Sequence, residues 1–165
     1  MSHAQARPDR SKTLAAWLAL LGGSLGWHRF YLHGASDPWG WLLWIPTAIG
    51  GYGVLRMRDI GQDDLLAWVL IPWLGLVLAA TLLQAVIYAL TSDEAWNARF
   101  NPGRSAGSIN GLNIVAAVLA GSTGAIVLIA TIAFVSQRYF EYETLQRHGS
   151  NSTAPYRVAA TPAMP

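Results

Sequence analysis

Cysteine is absent from the 165 residues, which excludes a disulfide framework, a thiolate metal site and a cysteine nucleophile. Charge is scarce as well: 12% of the residues are Asp, Glu, Lys or Arg, against roughly a quarter in an ordinary soluble domain. A globule of this composition lacks the polar surface needed to coat itself. The formal net charge of +2 is too small to imply nucleic-acid binding. Apolar residues are abundant instead, at 53%, and they are gathered in long runs. Those runs set the class: an all-α integral membrane protein, with four transmembrane helices arranged as two helical hairpins.

Arg7, Arg10 and Lys12 precede the first apolar stretch, as they would in a signal peptide. That stretch ends in Gly26-Trp27-His28-Arg29-Phe30, bulky and charged where a cleavage site needs small residues, so it is expected to stay attached. Residues 1–11 are polar and read as a disordered cytosolic arm. The first apolar segment, Thr13 to Trp27, spans about 22 Å as a helix, short of the roughly 30 Å hydrocarbon core. Continuing it through Leu32 makes up the difference and puts Arg29 and Tyr31 at the membrane interface. Gly34, Asp37 and Pro38 carry the signals of a helix C-cap, an N-cap and a first helical position. A second segment, Trp39 to Leu55, is then expected to be kinked by Pro46, closing a hairpin over residues 12–60.

A second hairpin is expected over residues 61–148. Asp63 or Asp64 caps a third segment, Leu65 to Leu90, which contains Pro72 and no formal charge. The polar connection that follows holds one short interfacial helix, EAWNARF. The fourth segment starts at Ile109 or Gly111 and reaches Val135. Its helix continues past the membrane through QRYFEYETLQRH, with Glu143 and Arg147 paired at i,i+4, and stops at Gly149. Residues 149–165 read as a disordered tail.

With four spans, both termini share a side with the second connection. That side holds Arg7, Arg10, Lys12, Arg56, Arg58, Arg138, Arg147 and Arg157, and the other holds Arg29, Arg99 and Arg104. The positive-inside rule then puts both termini in the cytosol of a cell inner membrane.

The run Leu21-Gly22-Gly23-Ser24-Leu25-Gly26-Trp27-His28-Arg29-Phe30-Tyr31-Leu32-His33-Gly34 resembles the two-transmembrane-helix (TM2) domain family. In that family a Gly-rich first-helix end leads into a His-Arg-Phe-Tyr-Leu-Gly-type turn, and a second helix follows. Gly22, Gly23 and Gly26 match the glycines; His28, Arg29, Phe30, Tyr31 and Leu32 match the turn. Gly50-Gly51-Tyr52-Gly53 resembles the second-helix end, and Asp59 the acidic residue after it. His33 is inserted before the turn's glycine, and Arg56 and Arg58 interrupt the approach to Asp59. The likeness covers about residues 11–60 and implies a helical membrane hairpin with little chemistry of its own. Some animal members are linked to cell-surface signalling and uptake, and their turn is placed in the cytosol.

Each notable residue has a plain reading beside a functional one. Arg29 is an interfacial anchor, a carbonyl- or Asp37-bonded turn holder, or a contact for a lipid headgroup or a partner's carboxylate. His28 and His33 are five apart, a poor spacing for a shared metal on one helix, so no metal or cofactor is expected. Gly22 and Gly26 form a GxxxG, and Gly121 and Gly124 lie on a small-residue face with Ala116, Ala117 and Ala120. Such faces pack helices within one chain or seal a homo-oligomer. Gln84, Asn110, Asn113, Ser122 and Thr123 are the polar residues in or beside the last two spans. None is the intramembrane ionisable group that coupled transport usually needs, and no nucleophile has a base in predicted reach. The sequence therefore points to a non-enzymatic membrane protein whose turn contacts lipid or another membrane protein. A small channel or transporter subunit is the alternative.

Overall fold

A computed structural model describes residues 9–104 and 110–152; the expected arm (1–8 of it) and tail (from 153) lie outside the described residues. Every regular element described is a helix. Ser11 caps α1, Lys12–Gly22, by accepting from the Leu14 amide at 3.4 Å. Ala15, Ala16, Ala19 and Gly22 form the buried face of α1. Their small side chains let it approach neighbours closely, which is how helices associate where lipid removes the hydrophobic drive.

A single 3-10 turn, Gly23–Leu25, ends α1. Gly26 then takes φ +74° and reverses the chain into α2, Trp27–His33. This second helix runs back along α1: the Tyr31 hydroxyl accepts from the Ser11 amide at 2.8 Å. Gly34, at φ +93°, stops α2. Asp37 then caps α3, Pro38–Leu42, with Pro38 in its first turn. A break at Leu43 leads to α4, Trp44–Ile60. Pro46 falls in the first turn of α4, where its missing N–H costs nothing, so it starts this helix instead of kinking one.

Asp64 caps α5, Leu65–Leu90, by accepting from the Leu66 amide. Ser92 caps α6, Asp93–Phe100, whose Asp93 and Glu94 in the first turn and Arg99 in the last suit the helix dipole. The last helix, α7, runs Gly111–Ser152 through Gly149 without a stop. Its 42 residues extend about 63 Å at 1.5 Å each. The helices meet at glycines: Gly50 and Gly53 of α4 lie against Leu74 and Leu70 of α5, and Gly75 of α5 lies against Thr131 of α7.

Contacts sort the elements by depth. At one end, the Lys12 ammonium donates to the Thr91 carbonyl at 2.9 Å and pairs with Asp93. At that same end Trp96 Nε1 donates to the Arg10 carbonyl at 2.8 Å and Asn110 bonds Thr13. At the other end, Arg56 pairs with Asp64 at 2.5 Å, and the Arg138 guanidinium lies 4.6 Å over the Trp68 ring. Thus α1 starts where α5 ends and α7 starts, while the α4–α5 turn and the far part of α7 share the opposite end.

Among the described residues, two helices are long and apolar enough to cross a membrane, Leu65–Leu90 and Gly111–Thr144. Both are mostly exposed to the surroundings, unlike the core helix of a soluble protein. Their bare Leu, Ile and Val side chains, with Leu83, Leu90, Ile126 and Ile129 among the most exposed, need an apolar solvent. In place of the expected four full-length spans, the first hairpin is made of short pieces. The 11 residues of α1 rise only about 16 Å, about half of the hydrocarbon core. Its last turn, at Gly23, meets Thr81 near the middle of α5. From that depth α2 returns to the starting end, and α3 and α4 in succession descend to the opposite end.

Two expectations are corrected in consequence. A continuous helix from Thr13 to Leu32 is broken, because Gly26 has a left-handed conformation that no helix interior holds. The first and last described segments lie at opposite ends of the bundle, not at the same one, because α1 does not traverse it.

Candidate functional site

The turn from His28 to Leu32 packs against α1, α3, α5 and α6. His28, 2% exposed, places its ring 5.8 Å from that of Tyr88 on α5. Its Nδ1 is buried with no hydrogen-bond partner among the described residues. Arg29 donates from Nε to Asp37 Oδ2 at 2.7 Å, across the α2–α3 loop. The ring of Phe30 packs on the backbone of α3: a Cβ on Gly40 would come within 2.9 Å of Phe30 Cδ1. Phe30 also lies 5.2 Å from the Trp41 ring. Tyr31 holds the entry to α1, with its hydroxyl on the Ser11 amide and the Arg10 guanidinium 5.2 Å over its ring. Leu32 joins the core formed with Ala15, Ala89 and Trp96.

Asp37 does three jobs at once. It accepts from Arg29, accepts from the Trp39 amide as the cap of α3, and is itself buried. The Arg29 hydrogen bond is the main reason its carboxyl is held below the ordinary carboxylate range, against the opposing effect of burial.

Reversing the chain at Gly26 takes the preceding carbonyl groups out of the helical pattern, and these need donors from elsewhere. Two side chains from the start of α4 answer this. Thr47 Oγ1 lies 2.8 Å from both the Ser24 and the Leu43 carbonyls, which share its one proton, and Trp44 Nε1 donates to the Leu25 carbonyl at 3.0 Å. Neither was singled out by sequence reasoning, because both partners lie about twenty residues away and no local pattern links them. Tyr88 and Trp96, which close over His28 in a row of rings with Phe100, were missed for the same reason.

Gly22 and Gly26 do not share a helix. A Cβ on Gly22 would collide with the Trp27 ring, and one on Gly26 with the Gly40 carbonyl, so both serve the reversal. Gly121 and Gly124 do lie on one helix and face α5, with Val86 and Leu82 as their nearest neighbours. Around the turn, Trp27, Trp39 and Trp41 are about half exposed or more and form an aromatic rim. Among the described residues, no three His, Asp or Glu side chains gather as a metal site would need.

Residues 8–60, about a third of the chain, match the family model of the TM2 domain. That match takes in α1, α2, α3 and α4 and ends at Ile60, the last residue of α4. No curated protein and no solved structure matches the chain.

Proposed function

We propose that this is a non-enzymatic protein of a bacterial inner membrane, in which the TM2-like unit is a scaffold for lateral contact with lipid or another membrane protein. One observation carries this reading. The five motif side chains are spent on holding the reversed turn in shape, and none is among the exposed residues. What the turn presents outward is its rim of Trp27, Trp39 and Trp41, with the partly accessible guanidinium of Arg29 at its edge. Exposed tryptophan beside a cation suits the headgroup layer or an aromatic-accepting protein surface.

The test is co-purification. Arg29→Ala is expected to insert normally yet retain less of a specific lipid or partner, and Trp39→Ala is expected to do the same. Retention of every such contact by both variants would reduce the turn to an anchor.

A channel or transporter subunit is the second reading. The broken path through α1 and α4 favours it, since interrupted helices at mid-depth are a device of transport sites. Solute or ion flux in proteoliposomes, lost on changing Gln84 or Asn113, would establish it; silent proteoliposomes would remove it. Among the described residues, sorted by end, Arg10, Lys12, Arg29, Arg99 and Arg104 oppose Arg56, Arg58, Arg138 and Arg147. Five against four gives the positive-inside rule little to act on.

A further inference from the structure

The seam between α5 and α7, closed at one end by the start of α1, forms a groove with two chemically distinct parts. Near the starting end of the bundle lies a polar cleft of about 370 Å³, walled by Lys12, Thr91, Asp93, Glu94, Asn110 and Asn113. Along the membrane-spanning part of the same seam lies an apolar trough of about 360 Å³, whose floor includes Ala79, Ala120, Gly121 and Gly124 and whose sides are Leu83 and Leu128. Helical spacing puts both on one face. Leu76, Leu83 and Leu90 recur every seven residues on α5, as do Ile114, Gly121 and Leu128 on α7, and each of these six residues borders one part or the other. From Ile114 to Leu128 the groove runs about 21 Å, more than half of the roughly 30 Å hydrocarbon core.

The polar cleft is short of donors. Among the described residues its single cation, Lys12, is already committed to Asp93 and the Thr91 carbonyl. Facing it are a second carboxylate, Glu94, and the amide of Asn113, a residue 6% exposed whose Oδ1 is buried with no partner among the described residues. A buried amide oxygen without a donor is costly and asks for one. Rotation of the Asn113 amide about its last torsion can turn that oxygen toward the cleft.

We propose that this groove is a binding site for a phospholipid with a primary-amine headgroup, phosphatidylethanolamine. The ammonium lies in the polar cleft and donates to Glu94 and the Asn113 amide, while one acyl chain lies in the trough over Gly121 and Gly124. Net negative charge in the cleft disfavours an anionic headgroup. A trimethylated ammonium has no N–H to give Asn113 and needs more room. The site is separate from the turn, and it stands or falls independently of the scaffold reading.

The experiment is native mass spectrometry of the full chain, delipidated in detergent and then titrated with phosphatidylethanolamine, phosphatidylcholine or phosphatidylglycerol of the same acyl chains. Phosphatidylethanolamine is expected to be retained at least several-fold more than either competitor. Glu94→Gln, a change on an exposed first turn that leaves the fold alone, is expected to erase that preference. Gly121→Leu fills the trough and is expected to lower retention of all three lipids, whereas Ile129→Phe, on an exposed face of α7 outside the groove, is expected to change nothing. Equal retention of the three lipids by the native chain overturns the proposal, as does a preference that survives both Glu94→Gln and Gly121→Leu.

Discussion

The backbone of Gly26 lies against the backbone of Gly40: a Cβ on Gly26 would approach the Gly40 carbonyl oxygen to 2.5 Å. Because the obstacle is main chain, it has no rotamer by which to move aside. Gly26 also has φ +74°, so a side chain would meet strain from its own backbone as well as from its neighbour.

Gly26→Ala is therefore expected to destabilise the protein by about 2 kcal/mol or more, combining left-handed strain with a backbone clash. Gly51→Ala is the matched control. It sits within α4 with open space around the added methyl, and alanine there is expected to be neutral or to stabilise by roughly 0.5–1 kcal/mol. Unfolding in graded sodium dodecyl sulfate, followed by tryptophan fluorescence, would rank them. Equal midpoints for the two variants would contradict the close approach.

The capped carbonyls give a second expectation. Thr47→Val keeps the shape of the side chain but leaves the Ser24 carbonyl without its donor, as Trp44→Phe does for Leu25. Each loss is expected to cost about 1–3 kcal/mol, the penalty of an unsatisfied group away from water. In detergent micelles that admit water to the turn, the loss should shrink, so comparing micelles with bilayer discs checks the depth of the reversal.

Acid should loosen the turn. The Asp37 carboxyl is held below its ordinary value of 3.8 mainly by Arg29. Because its proton affinity is lower folded than unfolded, the stabilisation it gives is present in full above that ordinary value. It disappears as the pH falls through the lower, folded value. Accordingly, the native protein is expected to lose stability only in strong acid, and Asp37→Asn to lose that dependence while retaining a capping side chain for α3. Thermal unfolding between pH 7 and pH 2 would decide it, and an unchanged acid profile in Asp37→Asn would argue against the pair.

The sidedness of the bundle is open to a simple probe, since the chain has no cysteine of its own. Single cysteines at Ser36 and Ala98, which share an end with Lys12, are expected to react with an impermeant maleimide from one side of the membrane. Cysteines at Gln62 and Gln146, exposed at the other end, are expected to react from the opposite side. A cysteine at Asp9, exposed beside Lys12, is expected to share the side of Ser36; labelling it instead from the side of Gln146 would restore the four-span arrangement.

Length and end signals made the long helices legible. Leu65 to Leu90 carries no charge and follows Asp64, so its limits in the structure, Leu65–Leu90, match those read from the sequence. Gly34, Asp37 and Pro38 likewise announced the α2–α3 corner found there. The reversal at Gly26 was not legible. Trp27 to His33 is a good helix with no breaker, and a single glycine before it reads equally well as a packing residue or as a turn. Only partners distant in sequence decide the matter: Gly40 against Gly26, Thr47 on Ser24, and Tyr31 on Ser11. The same limit hid the polar cleft at Asn113, which needs the ends of α1, α5 and α7 in one place.

A rod longer than the bilayer is thick behaves as a lever. From Gly111 to Arg138, whose guanidinium is stacked on Trp68, α7 runs about 40 Å, and about 21 Å continues beyond that point to Ser152. Tilting the helix by 10° about that point would swing the outer tip by about 4 Å, from rise per residue alone. Small rearrangements in the greasy seam would thus be carried beyond it without any joint in between.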